Sequence, residues 1–172
     1  VGALIAILKS KLVSKSTKIR IYRTVIRPTV TYGCEVWVLN KQSEAKLEIW
    51  ERKILRKILG GVKEEGIGWR RRTNQEVMEM YNRPSVSHAV RLQRLRWLGH
   101  VVRMDESRLV KKVLTMGEGG KKKRGRPKRK WMEAVKEDML RLGVKNWKEK
   151  AEDRNEWKMF FQKFEAMGLV GL

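Results

Sequence analysis

The 172-residue chain carries 41 Lys and Arg against 19 Asp and Glu, a formal net charge of +22, and 41% of it is apolar. That length fits one modest domain or two small ones, and the apolar share, with seven Trp and eight Met, excludes a chain disordered throughout. A single cysteine, Cys34, excludes an intrachain disulfide framework, and no apolar run approaches the roughly 20 residues of a membrane-spanning helix.

Helical spacing dominates, so the predicted fold class is all-α. The short apolar stretch from Gly2 to Leu8 lacks a basic flank and is a poor signal peptide. It starts at Val1 rather than Met, so we expect chain upstream. Ser16 or Thr17 can cap a first helix carrying Ile19, Tyr22, Val25 and Ile26. Pro28 interrupts that helix and starts another, with Val30, Gly33, Cys34 and Trp37 at i, i+3, i+4 and i+7. Ser43 opens the next helix, striped by Leu47, Trp50, Ile54 and Ile58 and stopped by Gly60-Gly61. Its last turns hold Arg52, Lys53, Arg56 and Lys57, which suit the helix dipole.

Residues 62–72 lack periodicity and read as an exposed basic loop. A short helix follows over Thr73 to Tyr81. Pro84 with Ser85 or Ser87 starts a longer one lined by Leu95, Leu98 and Val102, and another short helix covers Arg108 to Met116. Residues 117–130 read as a flexible arm, because eight of the ten residues at 121–130 are basic and no core can form from them. Trp131, Val135, Met139 and Leu142 then mark a helix ended by Gly143. Asn146 caps a final helix with Trp147, Ala151, Trp157, Phe161 and Phe164, which should fold back as a hairpin. The expected divisions are residues 1–61, 62–116, 117–130 and 131–172.

Charge follows these divisions. Residues 1–130 hold 33 basic and 11 acidic side chains, while residues 131–172 hold eight of each. So large an excess on a compact chain repels itself, and a polyanion relieves that repulsion. Nucleic acid is the expected partner, ahead of an anionic membrane, and no small-molecule substrate is implied.

Two groups of residues are candidates for contact. The first is Lys121, Lys122, Lys123, Arg124, Gly125, Arg126, Pro127, Lys128, Arg129 and Lys130, whose Arg-Gly-Arg-Pro core resembles an AT-hook. Gly125 permits close backbone approach, Pro127 keeps the chain extended, and the arginines suit the narrow minor groove of A·T tracts. The competing reading is a solvated basic linker or nuclear-import signal. The second is Arg70, Arg71, Arg72, Arg91, Arg94 and Arg96, with Trp69 and Trp97 interleaved, since arginine pairs with phosphate and stacks on bases. The competing reading makes Trp97 core and the arginines a wet helix face. His88 and His100 have no Cys or carboxylate at metal-ligand spacing in sequence and read as structural or exposed, Cys34 reads as packing, and Glu64-Glu65, Asp105-Glu106, Glu137-Asp138 and Glu152-Asp153 read as solvated helix ends or surface ion pairs. No catalytic or metal-binding constellation is present, so no cofactor is assigned to the chain.

The run from Thr17 to Trp37 (TKIRIYRTVIRPTVTYGCEVW) resembles the segment after the polymerase palm in non-LTR, LINE-type retrotransposon endonuclease-reverse transcriptases of the RTE-like group. Glu51 to Gly60 (ERKILRKILG), Arg94 to Val101 (RLRWLGHV), Arg124 to Lys128 with Trp131, and the Trp147, Ala151, Asp153-Arg154, Trp157 pattern follow in the family's order. The resemblance implies a thumb over residues 1–61 that grips the primer-template, then a post-thumb region holding RNA template and target DNA. It implies nuclear and cytoplasmic residence and an upstream polymerase domain. The family's RNA-directed DNA synthesis uses divalent metals on palm carboxylates, which have no counterpart here, so the chain is not expected to catalyse alone. A free-standing host DNA-binding protein with an AT-hook-like arm, or a translated relic, are the alternative readings.

Overall fold

The computed structural model describes residues 4–66, 68–116, 130–144 and 146–167. They form an all-α protein with one small hairpin, and the contacts divide the chain into two compact units. The first comprises residues 1–32 and 40–88; the second comprises residues 33–39 and 89–172.

In the first unit, α1 (Ile5–Lys9) precedes a helical run that begins at α2 (Lys15–Ile21). Its cap is Ser14, whose hydroxyl accepts from the Thr17 N–H at 3.1 Å, rather than Ser16 or Thr17. The run does not restart at Pro28. It passes through a π-helical turn over Tyr22–Ile26 into α3 (Arg27–Val30), with Pro28 in the first turn of α3. A proline ring collides with the carbonyl four residues back in a regular α-helix, and a π turn opens the ladder at that point. The helix expected to continue through Trp37 stops at Val30. Gly33, where the chain passes to the second unit, adopts φ 67°, a left-handed conformation that suits glycine, and a 3-10 turn of that unit covers Cys34–Val36.

The longest helix, α4 (Lys41–Leu59), is capped by Asn40, whose side chain accepts from the Ser43 N–H at 2.7 Å, and ends at Gly60 with φ 75°. Ile54, Leu55, Ile58 and Leu59 are buried, whereas Leu47 and Trp50 are half-buried. The expected loop at 62–72 is instead a hairpin of β1 (Val62–Glu64) and β2 (Gly68–Arg70), pairing Val62 with Arg70 and Lys63 with Trp69. It then leads into α5 (Asn74–Tyr81), where Thr73 and Glu76 form a reciprocal capping box. The core of this unit joins Leu8, Tyr22, Ile26, Val77 and Tyr81 to the buried face of α4. At its centre Glu51 is 1% exposed, and it accepts from the Tyr22 hydroxyl at 2.6 Å and the Val86 N–H at 2.8 Å.

The second unit holds most of α6 (Val86–Val102), then α7 (Leu109–Met116) and α8 (Trp131–Arg141). The expected final helix is broken into α9 (Trp147–Glu152) and α10 (Arg154–Met167). Asp153 causes the break: its carboxylate accepts from the Asn155 and Glu156 N–H groups at 2.6 and 3.1 Å, a fresh helix cap. Asn146, expected as that cap, sits at φ 52° without a side-chain capping bond. Leu95, Leu98, Val135, Met139, Ala151, Trp157 and Phe161 share one core. Gly99 makes it possible, because a Cβ there would collide with the Trp157 indole, whose Nε1 donates to the Leu95 carbonyl at 3.2 Å.

Candidate nucleic-acid interface

In the first unit, α4 turns its apolar face to the core and presents Arg52, Lys53 and Arg56 on the other side. After the hairpin, residues 71–74 return alongside them. The Arg56 Nε donates to the Arg72 carbonyl at 3.1 Å and its Nη2 to Asn74 Oδ1 at 2.5 Å. The Arg72 Nη2 donates to the Gly61 carbonyl at 3.2 Å. These bonds fix an open groove of about 470 Å³ lined by Ile49, Arg52, Lys53, Arg56, Arg71, Arg72, Thr73 and Asn74.

Five of the eight lining residues are cationic and none is acidic. Arg52 pairs with Glu48 at 3.6 Å, one helical turn away. Burial, followed by the charges of Arg71 and Arg52, lowers the Arg56 guanidinium below its ordinary pKa. Positive charge thus accumulates here against its own repulsion, and the buried Arg72 Nε has no hydrogen-bond acceptor among the described residues. Chemically, the groove can take an anion whose oxygens accept several N–H bonds at once, as a phosphodiester does.

The sequence-predicted arginines separate by role. Arg71 is exposed and Arg72 half-buried, both at the groove. Arg70 is held by carboxylates: its Nε pairs with Glu64, and Nη1 and Nη2 reach Glu76 at 3.0 and 2.7 Å. This ties the hairpin to the first turn of α5. Those Arg70 bonds, with the Thr73 N–H, hold the Glu76 carboxyl down to a pKa of about 2.

Arg91, Arg94 and Arg96 belong to the second unit. Arg94 is 3% exposed and donates to Asp138 Oδ2 at 2.6 Å, with Arg91 Nε 3.7 Å from Oδ1 of the same carboxylate. Asp138, expected at a solvated helix end or in a surface ion pair, is instead a buried ion-pair partner, which the even charge count of its segment did not reveal. Arg96 is exposed on α6 and its guanidinium lies 5.4 Å from the Phe161 ring centroid. Trp97 is half-buried and lines an apolar pocket with Val101, Leu114 and Trp131, while Trp69 is 76% exposed. Lys130 is exposed at the start of α8; Lys121 to Arg129, and the expected flexible arm with them, lie outside the described residues.

Arg52, Lys53 and Arg56 were not singled out as contacts from sequence. Their i, i+1, i+4 spacing opposite the apolar stripe was the available signal. It is common to solvated helices, and only the return of residues 71–74 makes it a groove.

A transposon-derived protein of Caenorhabditis elegans is 24% identical over 151 residues, covering 83% of this chain and 53% of that protein. The likeness supports a transposon origin. The chain spans about half the length of this curated relative. No protein-family model matches the chain, and no solved structure does. Among the described residues, no helix is long and apolar enough to cross a membrane.

Proposed function

We propose that the chain is a nucleic-acid-gripping portion of a retrotransposon reverse transcriptase, placed after the polymerase palm and not catalytic by itself. The observation that carries this reading is the groove of Arg52, Lys53, Arg56, Arg71 and Arg72, which no acidic side chain lines, on a chain of net charge +22. The transposon likeness and the ordered motifs from Thr17 to Trp157 support it. Its partners would be the RNA template, target DNA and the upstream polymerase domain, met in the cytoplasm and the nucleus.

The test replaces Arg52, Lys53 and Arg71 by Gln and measures binding across a salt series. For duplex DNA the slope of log affinity against log salt should become shallower by up to about three units. An unchanged slope would remove the groove from the interface. The Arg-Gly-Arg-Pro run at 124–127 favours a second reading, a host DNA-binding protein that prefers A·T tracts. It predicts that Arg124→Gln with Arg126→Gln weakens binding to A·T-rich duplex more than to G·C-rich duplex, by about 1–3 kcal/mol. Equal losses on both would leave that reading without support.

A further inference from the structure

The Arg70 bonds to Glu64 and Glu76 engage one face of the hairpin. Strand alternation sends Lys63 and Trp69, directly paired across the strands, to the opposite face. There Trp69 is 76% exposed, on a short strand whose position is set by the Arg70 carboxylate pairs. An indole this exposed gains little for the fold, since most of its apolar area stays in water. Gly61 lies between it and the cationic groove. The Gly61 carbonyl accepts from Arg72, and a Cβ added at Gly61 would lie 3.5 Å from the six-membered ring of Trp69 and 2.9 Å from the Arg70 carbonyl. Arg72 and Trp69 therefore border the same residue.

We infer that Trp69 is a base-stacking platform at the edge of the arginine groove, so that the groove takes a strand with unpaired bases in preference to an intact duplex. A phosphodiester held by Arg52, Arg56, Arg71 and Arg72 has its bases one sugar away, and a free indole face beside it accepts one of them. Paired bases are stacked within the helix and cannot reach that face without unpairing. Lys63, across the strand from Trp69, adds a cation for the next phosphate. The inference rests on the groove reading above and specifies its ligand as single-stranded nucleic acid, whether RNA or DNA.

The test uses the full chain and labelled strands of about 12 nucleotides, a length within the usual single-strand site sizes: unstructured RNA, the matching DNA, the DNA duplex, and an abasic DNA strand with the same phosphates. The unchanged protein should bind RNA and single-stranded DNA more tightly than the abasic strand or the duplex. Trp69→Ala should weaken base-bearing strands by about 5- to 100-fold and leave the abasic strand unchanged, while Trp69→Phe should keep most of the affinity. Circular dichroism of both variants should match the parent, because the ring is exposed. Equal weakening on abasic and base-bearing strands, or no weakening on either, would overturn the stacking role. If Arg71→Gln still weakens every strand in that case, the groove reading stands without it. If Arg71→Gln changes nothing while the Trp69 effect persists, the groove reading fails and the stacking role survives alone.

Discussion

Single residues in this protein matter most where polar groups leave water. Glu51 is enclosed in the first unit with the Tyr22 hydroxyl and the Val86 N–H as donors. Burial raises its carboxyl above the ordinary value of 4.5, against the two donors that lower it. A group bound more tightly to its proton when folded contributes stability that is complete below pH 4.5 and is lost as pH rises through the folded value. Glu51→Ala leaves two buried donors unsatisfied and should cost about 2–5 kcal/mol in denaturant unfolding. Glu51→Gln should cost less and should abolish the pH term, because it keeps one acceptor oxygen and cannot ionise. An unchanged pH profile in Glu51→Gln would show that another group carries it. Gly99 is the matching case of shape: Gly99→Ala drives a methyl into the Trp157 indole and should lower stability by about 1–3 kcal/mol, read from the same unfolding curves.

Among the elements, the hairpin is the one that depends on charge. Two short strands are marginal by themselves, and this pair is tied to α5 through Arg70, Glu64 and Glu76. Glu76 also closes the capping box with Thr73, so one carboxylate holds a turn and a helix start together. Its folded pKa of about 2 lies below the ordinary 4.5. The sign is thus opposite to that of Glu51: the contribution is present above pH 4.5 and is lost as pH falls towards about 2. Arg70→Gln should move the Glu76 carboxyl back towards 4.5 in an NMR titration and speed hydrogen exchange in the hairpin at Lys63 and Trp69. Retention of the low value would assign it to the cap alone. Elements whose capping signals are local were legible in sequence, as α5 shows. The hairpin was not, because Gly66, Gly68 and the basic triplet hide its three-residue strands.

At the scale of the whole molecule, the excess charge sits in residues 1–130, and the groove uses part of it. Residues 121–130 hold eight of the basic side chains, and their sequence predicts an electrostatic arm. Replacing Lys121, Lys122, Lys123, Lys128, Arg129 and Lys130 by Gln should weaken binding to all sequences and make the salt slope for duplex DNA shallower by up to about five units. The melting temperature should barely change. A large loss of stability with an unchanged slope would show that these residues serve the fold instead.

Composition, charge and helical periodicity were sufficient by themselves for an all-α, strongly basic chain, for most helix positions and for the division between a cationic region and a neutral end. These properties depend on the order of neighbouring residues, and local spacing encodes them. The tertiary structure decided which charges face inward. It buried Arg94 with Asp138 and Glu51 with Tyr22, turned Arg70 into a clasp, and brought Arg71 and Arg72 beside Arg52, Lys53 and Arg56. The partners in each of these pairs, apart from Arg70 and its carboxylates, lie 15 or more positions apart in sequence. An arginine carries the same charge and helix propensity whether it meets a carboxylate or solvent, so its partner depends on which distant element packs against it.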